Sequence, residues 1–195
     1  MDKFDQLTNL FLDWNSKINL SAIRGKEQAE VKHIKDSLEW AKILKNLVNK
    51  NSKIVDIWTW SWFPLLPLAI SFPDLNFTWI ESVRKKVNAV NDIIEKLNLK
   101  NVKVIWTRAE DYKKEKFDIL TARAVAYIDK LMKYSYHLVK NWWYFVLFKL
   151  NSKDEYNDLL KVAKKYNLKL ILKHDYKLFP DDVERVIYVL EKLAK

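Results

Sequence analysis

Between Lys53 and Glu81 the chain reads KIVDIWTWSWFPLLPLAISFPDLNFTWIE, and this stretch limits the architecture more than any other. Ile54, Val55 and Ile57 predict a short buried strand, and Leu65 to Ile70 restarts an apolar run with room for a helix before Pro73. A second strand then closes on Glu81. Strand, tight connection, helix and strand make the opening βαβ unit of a parallel sheet. In such units the turn after the first strand is glycine-rich, because the backbone takes φ > 0 and lies against a ligand with no Cβ in the way. Here Trp58, Trp60 and Trp62 stand where those glycines belong.

The whole chain shares this anomaly, with one Gly beside nine Trp. Average usage of ~7% would place roughly thirteen or fourteen glycines in this length. An α/β chain with several tight turns and almost no glycine is physically awkward. Depletion of one residue type matched by excess of another points to a substitution that follows codons.

With 195 residues and 49% hydrophobic content, the chain is expected to form a single domain with a full core. Residues 1–50 are read as an N-terminal helical cap and 51–195 as the α/β core. No run approaches the ~18 to 20 apolar residues of a membrane span, and the first thirty residues lack a signal-peptide layout, so no membrane partner and a cytoplasmic location are expected. The absence of cysteine excludes disulfides, thiolate metal sites and cysteine nucleophiles. Three scattered histidines predict no metal site. A net charge of +10 fits an anionic partner such as nucleic acid, although 30 of the 35 basic residues are Lys, as an A+T-rich gene would encode.

In chain order, Phe4, Leu7, Leu10, Phe11 and Trp14 give an amphipathic first helix, and a second helix is expected from Glu27 to Leu47. After the opening βαβ unit, a helix spans Val83 to Leu97, with Arg84, Lys85 and Lys86 on its outer face. Strands follow at 102–105 and 117–120, then a helix over 128–139. An Asn141-Trp142-Trp143 turn leads to a strand over 144–149, a helix over 154–166, and strands over 168–173 and 185–191. Alternating strands and helices predict a mostly parallel sheet covered on both faces. The last two strands lack an intervening helix, so they are expected to form an antiparallel hairpin at the sheet edge.

Read with glycine at the tryptophans, Asp56 to Pro64 has the layout D-x-G-x-G-x-G-F-P. The dinucleotide-binding spacing G-x-G-x-x-G would put its third glycine on Phe63 and does not fit. The layout is that of S-adenosylmethionine-dependent methyltransferases. Glu81, at the end of the second strand, is placed to accept hydrogen bonds from ribose hydroxyls. Taken literally, the alternating tryptophans would instead extend the strand as an aromatic stripe, serving as core or as a base-stacking platform. That reading explains neither Trp79 nor the pair Trp142 and Trp143.

The chain resembles the RsmG (GidB) family of bacterial 16S ribosomal RNA guanine-N7 methyltransferases along nearly its whole length. The resemblance rests on WNSKINLSAI at 14–23, KHIKDS at 32–37, the 56–70 segment, IES at 80–82, NVKVIWTRAED at 101–111, FDILTARAVA at 117–126, and the stretch from Pro180 through Arg185 to Lys192. At Trp58, Trp60, Trp62, Trp79, Trp106, Trp142 and Trp143 the family pattern has, or readily accepts, glycine, whereas Trp14 matches a family Trp. These positions fit a gene in which UGA is read as glycine, translated here as tryptophan. Leu65 departs independently, replacing a glycine after Phe-Pro.

The resemblance implies a Rossmann-like methyltransferase fold with S-adenosyl-L-methionine as cofactor and 16S ribosomal RNA, or the small ribosomal subunit, as partner; a monomer is expected. It implies that the loop carrying Trp58, Trp60 and Trp62, together with Phe63, borders the cofactor, that Ala109 and Glu110 contact its adenosine end, and that Arg123 lines the pocket near the methyl donor. Without the family, Glu110 reads as a helix-start carboxylate and Arg123 as half of a salt bridge. His33, with Asp36 and Ser37, matches the family's KHxxDS segment, which implies a pocket-facing position; no catalytic residue is assigned. Guanine N7 offers an in-plane lone pair and needs no prior deprotonation, so alignment matters more than a general base. Pyrimidine C5 methylation uses a cysteine, which is absent, and the Asn/Asp-Pro-Pro loop of exocyclic-amine enzymes is replaced by Thr121-Ala122-Arg123-Ala124. The alternatives are a methyltransferase with another substrate and a non-catalytic RNA-binding protein whose cofactor site the tryptophans block.

Overall fold

The structure is a computed structural model that describes residues 2–57, 62–123 and 127–194, the side chains of 181 and 182 excepted. Trp58 and Trp60 lie outside the described residues. Seven strands form one sheet in the order β3-β2-β1-β4-β5-β7-β6. They are β1 (Lys53–Ile57), β2 (Asn76–Glu81), β3 (Val102–Trp106), β4 (Phe117–Arg123), β5 (Val139–Leu150), β6 (Leu168–Leu178) and β7 (Asp181–Lys192). All pairings up to β4–β5 are parallel, while β7 runs antiparallel to both β5 and β6. The mostly parallel sheet and its antiparallel edge hairpin are as the sequence predicts.

Burial follows the strand chemistry. In β1, Ile54 to Ile57 are buried on both faces, as the inner strand of a covered parallel sheet requires. One apolar cluster gathers Ile54, Phe77, Trp79 and Ile119 with the helices α1 (Lys3–Ile18), α4 (Leu65–Ser71) and α5 (Arg84–Lys96). A second, on the opposite face, gathers Val55, Ile80, Leu120 and Phe145 with α6 (Ile128–Ser135) and α7 (Lys153–Lys165). Trp14 of α1 donates its indole N–H to Asp92 of α5 at 2.8 Å, tying the cap to the sheet layer.

Two segments differ from the sequence expectation. The second cap helix is continuous in course but changes pitch: α2 (Lys26–Ala29) passes through a π-helical turn, Glu30–Lys35, into α3 (Asp36–Leu44). The wider turn rotates the residues that follow and brings His33 and Asp36 inward, both buried. The segment expected to turn at Asn141-Trp142-Trp143 instead lies inside β5. Pairing with β4 jumps from Phe117–Val139 to Ile119–Tyr144, so residues 140–143 form a bulge.

Trp142, in that bulge, has φ 66°, and Trp62, after β1, has φ 41°. The other described residues with positive φ are Asn19, Asn98 and Asn167. Asn is the side chain that best tolerates the left-handed region, whereas a bulky residue there is an outlier and glycine takes it freely. Both tryptophans occupy positions where the sequence reading expects glycine.

Candidate active site at the carboxyl ends of β1, β2 and β4

The strand order reverses between β1 and β4, where the crossovers pass to opposite faces of the sheet. In open parallel sheets a ligand crevice forms outside the carboxyl ends of the strands at such a switch point. The residues singled out from sequence end or follow these strands: Trp62 and Phe63 after β1, Glu81 closing β2, Ala109 and Glu110 in a 3₁₀ turn after β3, and Arg123 closing β4. Beneath them, buried Asp56 accepts a hydrogen bond from the Thr121 hydroxyl at 2.6 Å, locking β1 to β4.

Glu81 is held by its own chain. Its Oε1 accepts the Val83 backbone N–H at 2.8 Å, and its Oε2 lies 3.3 Å from Lys86 Nζ. This fixes the carboxylate at the strand end, with the amide of the next loop as orienting donor. Lys86, read from sequence as part of a solvated face, is half-buried against it. Exposed Trp106 receives the Arg84 guanidinium over its ring at 4.3 Å and donates to the Ser82 carbonyl at 3.0 Å.

Arg123 does not stand alone. Its Nη2 lies 2.9 Å from Asp36 Oδ2 and also donates to the Lys32 carbonyl. Asp36 further accepts from the Tyr176 hydroxyl at 2.7 Å and sits 3.5 Å from Arg185 Nε. Burial, followed by the Asp36 charge, pushes the Tyr176 phenol well above its usual range, so it remains a donor. One buried carboxylate thus joins the π-helical cap segment, β4, β6 and β7. Sequence reasoning had Asp36 and Arg185 only as family matches and missed Tyr176; a buried acid paired with residues some 140 positions away leaves no local pattern.

His33 stacks on Phe63, centroids 4.5 Å apart and planes 6° from parallel, with Phe11 edge-on at 4.9 Å. Neither ring nitrogen has a hydrogen-bond partner. Burial, reinforced by the Arg123 charge, pushes the imidazole down to about 3, with only the Lys32 carbonyl acting to raise it. Because the folded value lies below the unfolded one, the unfolded chain binds the proton more tightly between about pH 3 and 6.5. Stability attributable to His33 is intact above about 6.5 and is lost as pH falls, at about 1.4 kcal/mol per unit. His33→Phe is therefore expected to flatten the acid limb, and urea unfolding at pH 7 and pH 5 should give a difference of about 2 kcal/mol between the two proteins. Equal acid losses would place the titrating group elsewhere.

Trp62 is fully buried, edge-on to Phe11 at 6.1 Å, and its indole N–H has no partner. His137 is structural, bonded through Nε2 to the Tyr112 carbonyl at 2.9 Å. Lys161 and Lys165 pair with Asp158 and Asp129 on the surface. Lys192 is buried, donating to the carbonyls of Tyr136 and Val139. Among the described residues no group of three or more His, Cys, Asp or Glu is arranged to hold a metal, and no helix is long and apolar enough to cross a membrane.

Comparison with known proteins agrees with this geometry. The family described as rRNA small subunit methyltransferase G, GidB, matches residues 1–177. The chain belongs to this family. The ribosomal RNA small subunit methyltransferase G of Acetivibrio thermocellus is 33% identical over 201 residues, covering 100% of this chain and 81% of the relative. That of Lactococcus lactis is 36% identical over 197 residues, covering 97% and 82%. A SAM-dependent methyltransferase from Aquifex aeolicus superposes with a TM-score of 0.62 at 14% identity, covering 84% of this chain and 93% of that one, a likeness of fold. The GidB chain described here is thus a methyltransferase with the Rossmann-like fold expected from its sequence.

Proposed function

We propose that this chain transfers a methyl group from S-adenosyl-L-methionine to N7 of a guanine in 16S ribosomal RNA, acting as a single-domain cytoplasmic monomer on the RNA or the small subunit. The reading is carried by the family match over residues 1–177, made over the same chain whose Glu81 and Arg123 meet at the switch point. Glu81 fits an adenosyl group, since its carboxylate is fixed where ribose hydroxyls would donate to it. Orphaned His33 lies beside Phe63 at the end of the loop. The buried indole of Trp62 does not fit, and the site is complete with glycine there, as the native product is proposed to carry at 58, 60, 62, 79, 106, 142 and 143. Ala109 and Glu110 are placed by the 3₁₀ turn to border the adenine.

When bound, the cofactor supplies an electrophilic methyl on a sulfonium. The protein's part is alignment: Asp36 fixes Arg123, the cap helices cover the crevice, and no side chain need take a proton from N7. Aniline cleavage mapping of 16S RNA treated with the glycine-loop protein tests the position. Cleavage at one guanine is expected, and methyl incorporation without a cleavable guanine would overturn the N7 assignment.

Glu81→Ala is expected to weaken S-adenosylmethionine binding about 10- to 100-fold without unfolding the chain, because its protein partners are the adjacent loop and Lys86. Calorimetric titration checks this, and unchanged affinity would remove Glu81 from the site. The coding DNA decides the alternative. TGG codons at the loop positions would make the indoles real and favour an RNA-binding protein with a closed site, as the buried Trp62 side chain would dictate.

A further inference from the structure

The structure leaves one buried polar group at the site with nothing to bind. His33 sits on the π-helical turn, stacked on Phe63, and both of its ring nitrogens lack partners although it is 7% exposed. Such orphaned nitrogens carry a desolvation cost that a satisfied or apolar side chain would avoid. The neighbouring charges are set by the Asp36 cluster. Arg123 is pinned to the carbonyl of Lys32, the residue before His33, and to Asp36, which also meets Arg185. Two guanidinium groups share one carboxylate, so the cluster keeps a net charge of +1 and has room in its electrostatics for one further anion. Tyr176 remains a protonated donor and takes none of that charge.

We propose that His33 and Arg123 together recognise the α-carboxylate at the aminoacyl end of the methyl donor, with the neutral imidazole donating one hydrogen bond and Arg123 supplying the charge. The inference rests on the cofactor reading above and deepens it. The position is consistent on three counts. Phe63 belongs to the segment that borders the cofactor. Trp62, in the same segment, packs against the same Phe11 that His33 touches, so glycine at 62 frees volume beside that ring. A carboxylate is the group of this ligand that complements an uncharged donor next to a cation. The π turn places the donor: one residue fewer per turn would rotate His33 off the Phe63 face, and such turns recur at functional sites.

The experiment compares two ligands on the full chain carrying glycine at 58, 60 and 62. S-adenosylhomocysteine has the aminoacyl end, and methylthioadenosine lacks it. His33→Phe keeps the ring on Phe63 and removes both nitrogens. It is expected to weaken S-adenosylhomocysteine at least tenfold and leave methylthioadenosine within twofold, while raising the Tm of the ligand-free protein. His33→Gln, which restores a donor, should recover part of the lost affinity at no gain in Tm. A merely structural His33 would move both ligands equally or neither, and either result overturns the assignment. Methylthioadenosine bound normally with no effect of His33→Phe on S-adenosylhomocysteine overturns the inference alone. Failure of both ligands to bind the His33 protein overturns the cofactor reading and the inference with it.

Discussion

Replacing Trp58, Trp60 and Trp62 together by glycine is expected to convert a chain with no measurable affinity for S-adenosylmethionine into one with saturable binding, a gain of at least a hundredfold. The reason is visible at Trp62. Its φ of 41° lies in the left-handed region, where a branched, bulky side chain is strained and glycine is not, and its indole is wholly buried with an unpartnered N–H. A ligand that lies against the backbone of this loop needs the space that three Cβ atoms and three indoles take. The single change Trp62→Gly removes the strain and is expected to raise Tm, whereas binding should need all three. Isothermal titration of the two chains checks this. Equal affinities would show that the loop accepts indoles, and the glycine reading of the native product would fall with it.

Much of this fold was legible because it depends on local pattern. The period of the cap helix, the apolar run of β1, and the missing helix between β6 and β7 each predict what the structure contains, down to the antiparallel edge. Glu81 could be placed because a strand of six residues ends on it. The β5 bulge escaped the reading for a physical reason. A glycine-type pair between apolar runs reads as a turn, but the bulge uses the same left-handed conformation, at Trp142, within a ladder that continues on both sides. The π turn was equally hidden, since a helix that gains one residue keeps an amphipathic sequence while its face rotates. The Asp36 cluster shows the same limit at longer range. KHxxDS marks His33 and Asp36 as a pair, yet their partners Arg123, Tyr176 and Arg185 come from three strands that only the sheet order brings together.

That cluster carries the largest expected change in stability. Asp36 is 2% exposed at its side chain and stands between Arg123 and Arg185, with Tyr176 donating to it. Removing the carboxylate leaves two guanidinium groups near one another at a partly dry site and takes the acceptor from a buried hydroxyl. Breaking a buried pair from one side costs about 3–5 kcal/mol, because the remaining charge is left uncompensated. Asp36→Ala is therefore expected to lower the urea midpoint far more than Asp158→Ala, whose partner Lys161 is 78% exposed and screened by water. Asp36→Asn should fall between them, since an amide oxygen still accepts from Tyr176 but offers no charge to either arginine. The same order should appear in methyl transfer at a temperature where all three variants are folded, because Arg123 is aimed by Asp36 rather than by packing alone. An Asp36→Ala protein no less stable than the Asp158→Ala control would mean that the two arginines find other anions when the carboxylate is gone. Asp36 would then be a passenger in the cap rather than the residue that sets the position of Arg123.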